Sequence, residues 1–224
     1  MRKLIHEILL NLRQTKLRRP ILGLLVKMHN FSYHMISFFS SYKGIHPKHA
    51  IMKYHDFFVH NVRPTDRVLD VGCGKGEVAY SVSQKAAVVV GLDISKKSIE
   101  RAQKKYQRPN LTFIVGDALS KSFTEKYDAI VLSNVLEHIE HRVDFLKKLA
   151  TIAPTILIRV PMITRDWISV YKKQEGFEYR LDDTHFIEFD RDTFRNELQQ
   201  AGLKIDSLDV NFGELYAVVR LPST

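Results

Sequence analysis

The chain has 224 residues, 45% of them hydrophobic and 26% charged, a globular balance with room for one α/β domain and some additions. A single cysteine, Cys73, excludes an internal disulfide and fits a cytoplasmic setting. No Cys/His cluster has the spacing of a structural zinc site, so no metal is expected. The net charge of +9 is unevenly placed: residues 1–63 carry 11 basic against 2 acidic residues and 7 of the 10 histidines, while the rest is balanced. That asymmetry points to an anionic partner, or to a solvated basic face.

The first 49 residues read as a basic helical extension, and residues 50–224 as the domain that carries the chemistry. Leu4, Ile5, Ile8, Leu9 and Leu12 follow helical spacing, and Arg13, Lys16, Arg18 and Arg19 come next. Pro20 suits the first turn of a second helix. From Ile21 to Phe39, a narrow polar stripe of Gly23, Lys27, Asn30, His34 and Ser37 faces a wide apolar face that includes Leu24, Leu25, Phe31, Phe38 and Phe39. Lys27, His29, Asn30 and His34 argue against a membrane span, and Glu7 and Asn11 against a signal peptide. Three occupants of the apolar face stay open: the domain or a second subunit of a homodimer, a membrane interface at residues 1–40, or RNA bases. Helix periodicity makes nucleic acid the least favoured.

Gly44 to His49 reads as a joint, and Ala50 to Val62 as a helix leading into the first strand. Val68-Leu-Asp-Val-Gly-Cys-Gly-Lys-Gly76 follows: an apolar run ending in Asp70, then Gly72, Gly74 and Gly76 at alternate positions. This is the layout of a strand-to-helix turn whose backbone approaches a ligand. Ala87 to Asp93 reads as a second buried strand ending in an acid, placed to accept from both hydroxyls of a ribose. Capping of the helix near Ser95 is compatible with that role. Leu111 to Asp117 and Tyr127 to Asn134 are further strands, and Thr155 to Val160 a fifth. Helices are expected near 76–85, 95–106, 140–151 and 190–201. Gly202–Val210 and Leu215–Leu221 look like a closing hairpin. The alternation implies an α/β fold: a mostly parallel sheet with helices on both faces.

The acid-G-x-G-x-G turn resembles motif I of the class I S-adenosylmethionine (SAM)-dependent methyltransferases. The segment Val135-Leu-Glu-His-Ile139 resembles the post-strand segment of their ubiquinone-biosynthesis-type, small-molecule branch. The resemblance covers about residues 50–221. It implies a Rossmann-like, seven-stranded sheet with one reversed strand, and SAM as cofactor. The cofactor residues it implies are Asp70, Gly72, Gly74, Gly76, Asp93, Ile94, Asp117, Ala118 and Ser133, with Asp117 and Ala118 beside the adenine.

The acceptor site is expected in the segment after the fifth strand, where Trp167, Tyr171, Arg180 and Asp182 suit a substrate lid. His185 is the first candidate for a general base, and His138, just after the fourth strand, is the second. Glu137 is a candidate orienter of His138, and Asp182 of His185. Several alternatives lose ground. Ser133-Asn-Val-Leu136 is not the Asn/Asp-Pro-Pro-aromatic tetrad of amino-methylating DNA enzymes. No cysteine follows that strand, as a cytosine-C5 enzyme would need, and a dehydrogenase would want G-x-G-x-x-G. The expectation is methyl transfer to a small-molecule or lipid-linked acceptor at oxygen, in the cytoplasm and peripherally at the inner membrane face. An RNA methyltransferase and a non-catalytic SAM-binding or membrane-interaction protein are the alternatives.

Overall fold

A computed structural model describes residues 2–41 and 46–222. Gly44 and Ile45 of the expected joint lie outside the described residues. So do the side chains of Leu4, Ile5, Ile8 and Leu9, which carry the early apolar stripe. The chain divides into two compact units, one of residues 1–51 with 168–179 and the other of residues 52–167 with 180–224.

The first unit contains helices α1 (Arg2–Arg13), α2 (Arg18–Ser40) and most of α3 (Lys48–Met52), together with residues from α8 (Trp167–Gln174). Pro20 falls in the first turn of α2, where its missing N–H costs nothing. Lys172 is buried and donates to Asn30 Oδ1 at 2.6 Å. Arg18 donates to the Tyr171 hydroxyl at 3.2 Å, and Arg19 to the Glu175 carbonyl at 3.1 Å. The 23-residue α2 buries no side chain completely. Its Phe31, Ile36, Phe38 and Phe39 are exposed, Phe39 to 77%. No helix among the described residues is long and apolar enough to cross a membrane.

The second unit is built on a seven-stranded sheet in the order β3-β2-β1-β4-β5-β7-β6. Its strands are β1 (Arg67–Val71), β2 (Val88–Asp93), β3 (Leu111–Val115), β4 (Ala129–Ser133), β5 (Thr155–Pro161), β6 (Lys204–Asn211) and β7 (Glu214–Arg220). Leu69 of β1 lies opposite Val90 of β2 and Ile130 of β4 in parallel register. β7 is antiparallel to both its neighbours, β5 and β6, and so is the one reversed strand among the seven. Strand side chains alternate between two cores. Leu69, Ile130, Leu132, Ile156 and Ile158 join Phe145, Leu149, Phe194 and Leu198 on one face. Val68, Val131 and Leu157 join Phe58, Val82, Ile99 and Ala102 on the other. Thus α7 (Arg142–Ala150) and α9 (Arg191–Gln200) cover one side, and α4 (Tyr54–His60), α5 (Glu77–Ser83) and α6 (Lys96–Lys105) the other.

The expected helix from Ala50 to Val62 is broken. Lys53 adopts a left-handed φ of 48°, ending α3 and starting α4. The hairpin connection is tight, with Phe212 and Gly213 both at positive φ. That is the two-residue turn whose twist matches paired strands.

Candidate active site

The carboxyl ends of β1, β2, β3 and β4 meet at the point where strand order reverses, the usual place for a ligand in an open α/β sheet. A cavity of about 270 Å³ opens there. Gly72, Asp93, Ile94, Asp117, Ala118 and His138 line it. Six of the site residues expected from sequence therefore share one crevice.

The glycine turn is pinned from below. Gly72 and Cys73 donate to the Leu92 carbonyl at 2.8 and 3.1 Å. Gly74 has φ 54°, and a Cβ placed there would meet none of the described residues within 4 Å. Gly76 is different: a Cβ there would lie 2.6 Å from the Phe113 ring and 3.0 Å from Ala102 Cβ. It is a packing glycine that lets α5 start close to the sheet.

Asp93 spans the crevice edge. Its Oδ2 accepts from the Gly74 amide and its Oδ1 from the Ser95 amide, both at 2.8 Å. Ser95 in turn caps α6 by accepting from Ser98 N. A carboxylate offers about four lone-pair sites, so Asp93 holds the loop and keeps capacity for a ligand. Asp117 uses one oxygen on the Leu119 amide. Asp70 is 1% exposed, and among the described residues its Oδ2 has no hydrogen-bond partner. Burial pushes its carboxyl up to about 8, against the Ala79 amide that favours the anion. Burial also raises the Cys73 thiol strongly, which leaves it an inert packing residue rather than a nucleophile. Ser133 accepts from Arg159 Nη1 at 3.2 Å. The other guanidinium nitrogens of Arg159 pair with Glu214 of β7.

Beside the crevice lies a second polar group. The segment from Leu181 to Phe189 is tied to the loop after β4 by the Phe186 amide on the Glu137 carbonyl at 2.7 Å. The rings of His138 and His185 meet edge to face with centroids 4.5 Å apart. Burial, then the neighbouring His185, lowers the His138 pKa below the ordinary imidazole value. His138 Nδ1 contacts Thr184 Oγ1 at 2.9 Å, and that hydroxyl donates to Asp182 Oδ1 at 2.6 Å. His185 is 6% exposed and its Nδ1 meets Glu188 Oε1 at 3.1 Å. Glu188 also accepts from the Leu181 amide at 2.6 Å and from Arg165 at 2.5 Å. Glu137 is fully buried, and among the described residues neither of its carboxyl oxygens has a partner at hydrogen-bonding geometry. Burial pushes it up to about 7, with its own amide, then the neighbouring His185 and the Asn134 side chain, favouring the anion. Glu137, His138 and His185 each bring one donor atom within 4.8 Å of the others, a spacing suited to a shared proton or a cation.

The expected orienters are therefore replaced. Thr184, not Glu137, holds the His138 ring, and Glu188, not Asp182, holds that of His185. The signal for Glu188 was the carboxylate three residues after His185; nothing in the sequence singled out Thr184. Arg180 donates to the His185 carbonyl at 2.8 Å, so it supports the segment from behind. Trp167 is 74% exposed, and Tyr171 belongs to the helical unit with Arg18.

The donor set fits a nucleoside carrying a cationic amino-acid arm. Asp93 has spare acceptor capacity for ribose hydroxyls, the buried Asp70 oxygen lacks a partner among the described residues, and the glycine turn leaves room for close backbone approach. Fold and crevice together define a class I methyltransferase architecture, whose cofactor is SAM. The family comparison agrees: residues 32–208 match the methyltransferase domain family, and the chain belongs to it. A ubiquinone biosynthesis O-methyltransferase of Bradyrhizobium diazoefficiens is 30% identical over 132 residues, covering 55% of this chain and 52% of that protein. The chain thus spans about half the length of the curated relatives it matches. Among solved structures, Synechocystis magnesium protoporphyrin IX methyltransferase with bound S-adenosylhomocysteine superposes with a TM-score of 0.61 at 22% identity. It covers 77% of this chain and 84% of that one. A TehB-like SAM-dependent methyltransferase from Corynebacterium glutamicum gives 0.60 at 16% identity, covering 88% and 100%. At those identities the likeness speaks for the fold.

Proposed function

We propose that this protein is a SAM-dependent methyltransferase acting at an oxygen of a small-molecule or lipid-linked acceptor. The observation that carries the reading is the single crevice holding Gly72, Asp93, Asp117 and His138 at the carboxyl ends of four adjacent strands. Asp93 would hold the ribose, Asp117 and Ala118 the adenine, and the Gly72–Gly76 turn with Asp70 the methionine arm. SAM supplies an electrophilic methyl group on a sulfonium. The chain's task is to align an acceptor oxygen and take its proton. His138 suits that task better than His185, because it lines the crevice and its lowered pKa keeps the ring neutral at neutral pH. Oxygen is favoured by the similarity to the ubiquinone O-methyltransferase.

The same reading includes peripheral contact with an anionic membrane at the cytoplasmic face through residues 1–40. It is supported by the basic excess of the first 63 residues and the exposed Phe31, Ile36, Phe38 and Phe39 of α2.

Calorimetry tests the cofactor. SAM and S-adenosylhomocysteine should bind and NAD should not. Asp93→Ala should weaken SAM by roughly 1–3 kcal/mol, since ligand hydroxyls and the Gly74 amide lose their acceptor. Comparable NAD affinity, or wild-type SAM affinity in Asp93→Ala, would refute the assignment. Labelled SAM incubated with a fractionated host extract should then reveal the acceptor.

A further inference from the structure

The hydrogen-bond partners of the two histidines bear on which ring nitrogen carries the proton, whatever the acceptor. A threonine hydroxyl has one hydrogen. Thr184 Oγ1 lies 2.6 Å from Asp182 Oδ1, a distance that two oxygens share only with a proton between them. The Asp182 carboxyl sits below the usual carboxylate range because the Thr184 hydroxyl and then its amide stabilise the anion, so Asp182 can only accept. The Thr184 hydrogen is therefore committed, and Thr184 Oγ1 can only accept from His138 Nδ1 at 2.9 Å. His138 must carry its proton on Nδ1. The same reasoning applies to its neighbour. Glu188, fully buried and paired with Arg165 at 2.5 Å, is acceptor-only, so His185 Nδ1 is also a donor.

We infer that Thr184 with Asp182, and Glu188 with Arg165, are positioning residues that lock His138 and His185 as Nδ1–H tautomers, so that the lone pair of each neutral ring sits on Nε2. The inference deepens the proposed reaction and rests on it for its functional meaning. A lone pair on Nε2 is what a ring needs to take a proton from an acceptor hydroxyl. The groups packed around His138 are His185, Asp182, Thr184 and Glu137. Among the described residues, the Glu137 carboxyl oxygens have no partner at hydrogen-bonding geometry, and that buried carboxyl is a third member able to hold a proton beside the two rings.

The test is long-range ¹H–¹⁵N correlation of the full-length, ¹⁵N-histidine-labelled protein in metal-free buffer above the imidazole titration range. Wild type should show both His138 and His185 protonated at Nδ1. Thr184→Ser keeps the hydroxyl and should keep the pattern. Thr184→Val removes it and should shift His138 toward the Nε2–H tautomer, leaving His185 unchanged as an internal control for folding. With an acceptor in hand, Thr184→Val should lower kcat roughly 5- to 10-fold, reflecting the fraction of His138 left in the wrong tautomer, with SAM affinity and KM unchanged. An Nε2–H tautomer of His138 in wild type, or an unaltered His138 in Thr184→Val, overturns the inference. Failure of SAM binding or of methyl transfer while the tautomers stand as stated would instead overturn the proposed function.

Discussion

Asp70 is a buried carboxyl that keeps its proton well above the usual range, where a cationic ligand arm can favour the anion. An unfolded aspartate titrates near 3.8, whereas the buried one is pushed up to about 8. Between those values the native state binds the extra proton, so stability falls as pH rises through that window. Asp70→Asn removes the titration. Its melting temperature should exceed that of wild type by a margin that grows from about pH 4 to about pH 8 and then levels off, while SAM binding is lost. A constant margin across pH would remove Asp70 from this account. Gly74 and Gly76 make a matched pair for a second measurement. Gly74→Val meets open space but occupies a left-handed backbone, costing about 1–2 kcal/mol of stability; it should fold and fail to bind SAM. Gly76→Ala drives a methyl group into Phe113 and Ala102, and should lower thermal stability more than Gly74→Val does. Reversal of that order would show that the two glycines have exchanged roles.

At the scale of elements, caps decide where helices start. Asp190 accepts from the Thr193 amide at 2.7 Å and begins α9, whose Phe194 and Leu198 are buried in the core shared with α7. Asp190→Ala should cost about 1 kcal/mol in denaturant unfolding with no change in SAM affinity; no loss would mean that packing alone sets the boundary. The same local rules made most of the fold legible. Apolar runs ending in acids marked β1, β2 and β3, and the alternation of strand and helix marked a parallel sheet. What escaped was the break at Lys53, because a left-handed lysine carries no signature in composition, and the partners of the two histidines. Asp182 stands three residues before His185, and so invited the assignment that Glu188, three residues after, fulfils. The cofactor crevice was readable because its residues follow strand ends one by one. Thr184 was not, because its contact with His138 spans 46 positions and no spacing rule links them.

For the whole molecule, the basic excess lies within the first 63 residues, and the exposed aromatic face of α2 is in that stretch. Each Lys or Arg near an anionic bilayer contributes about 1 kcal/mol, and apolar burial adds to that. Full-length protein should sediment with anionic vesicles, less so at high salt. The double substitution Phe38→Glu with Phe39→Glu should abolish sedimentation without loss of thermal stability, since both rings are exposed. Unchanged sedimentation would sink the membrane reading. Salt-sensitive RNA binding by the same protein would favour the nucleic-acid alternative, and a switch from dimer to monomer in the double variant would assign the face to a second copy.

The closing hairpin has a consequence for biosynthesis. The cofactor-side groups from Asp70 to His138 follow one another in the sequence, and their strands pair among themselves. The neighbouring histidine cluster depends on the last strand instead. Arg159 is held by Glu214, the Met162 amide bonds to the Gly213 carbonyl at 2.9 Å, and a Cβ at 213 would collide with Arg165, the partner of Glu188. During translation the glycine turn leaves the ribosome well before β7 does. The glycine turn is therefore synthesised before the strand that braces Arg159 and Arg165, and the histidine cluster gains that bracing only when the final hairpin closes.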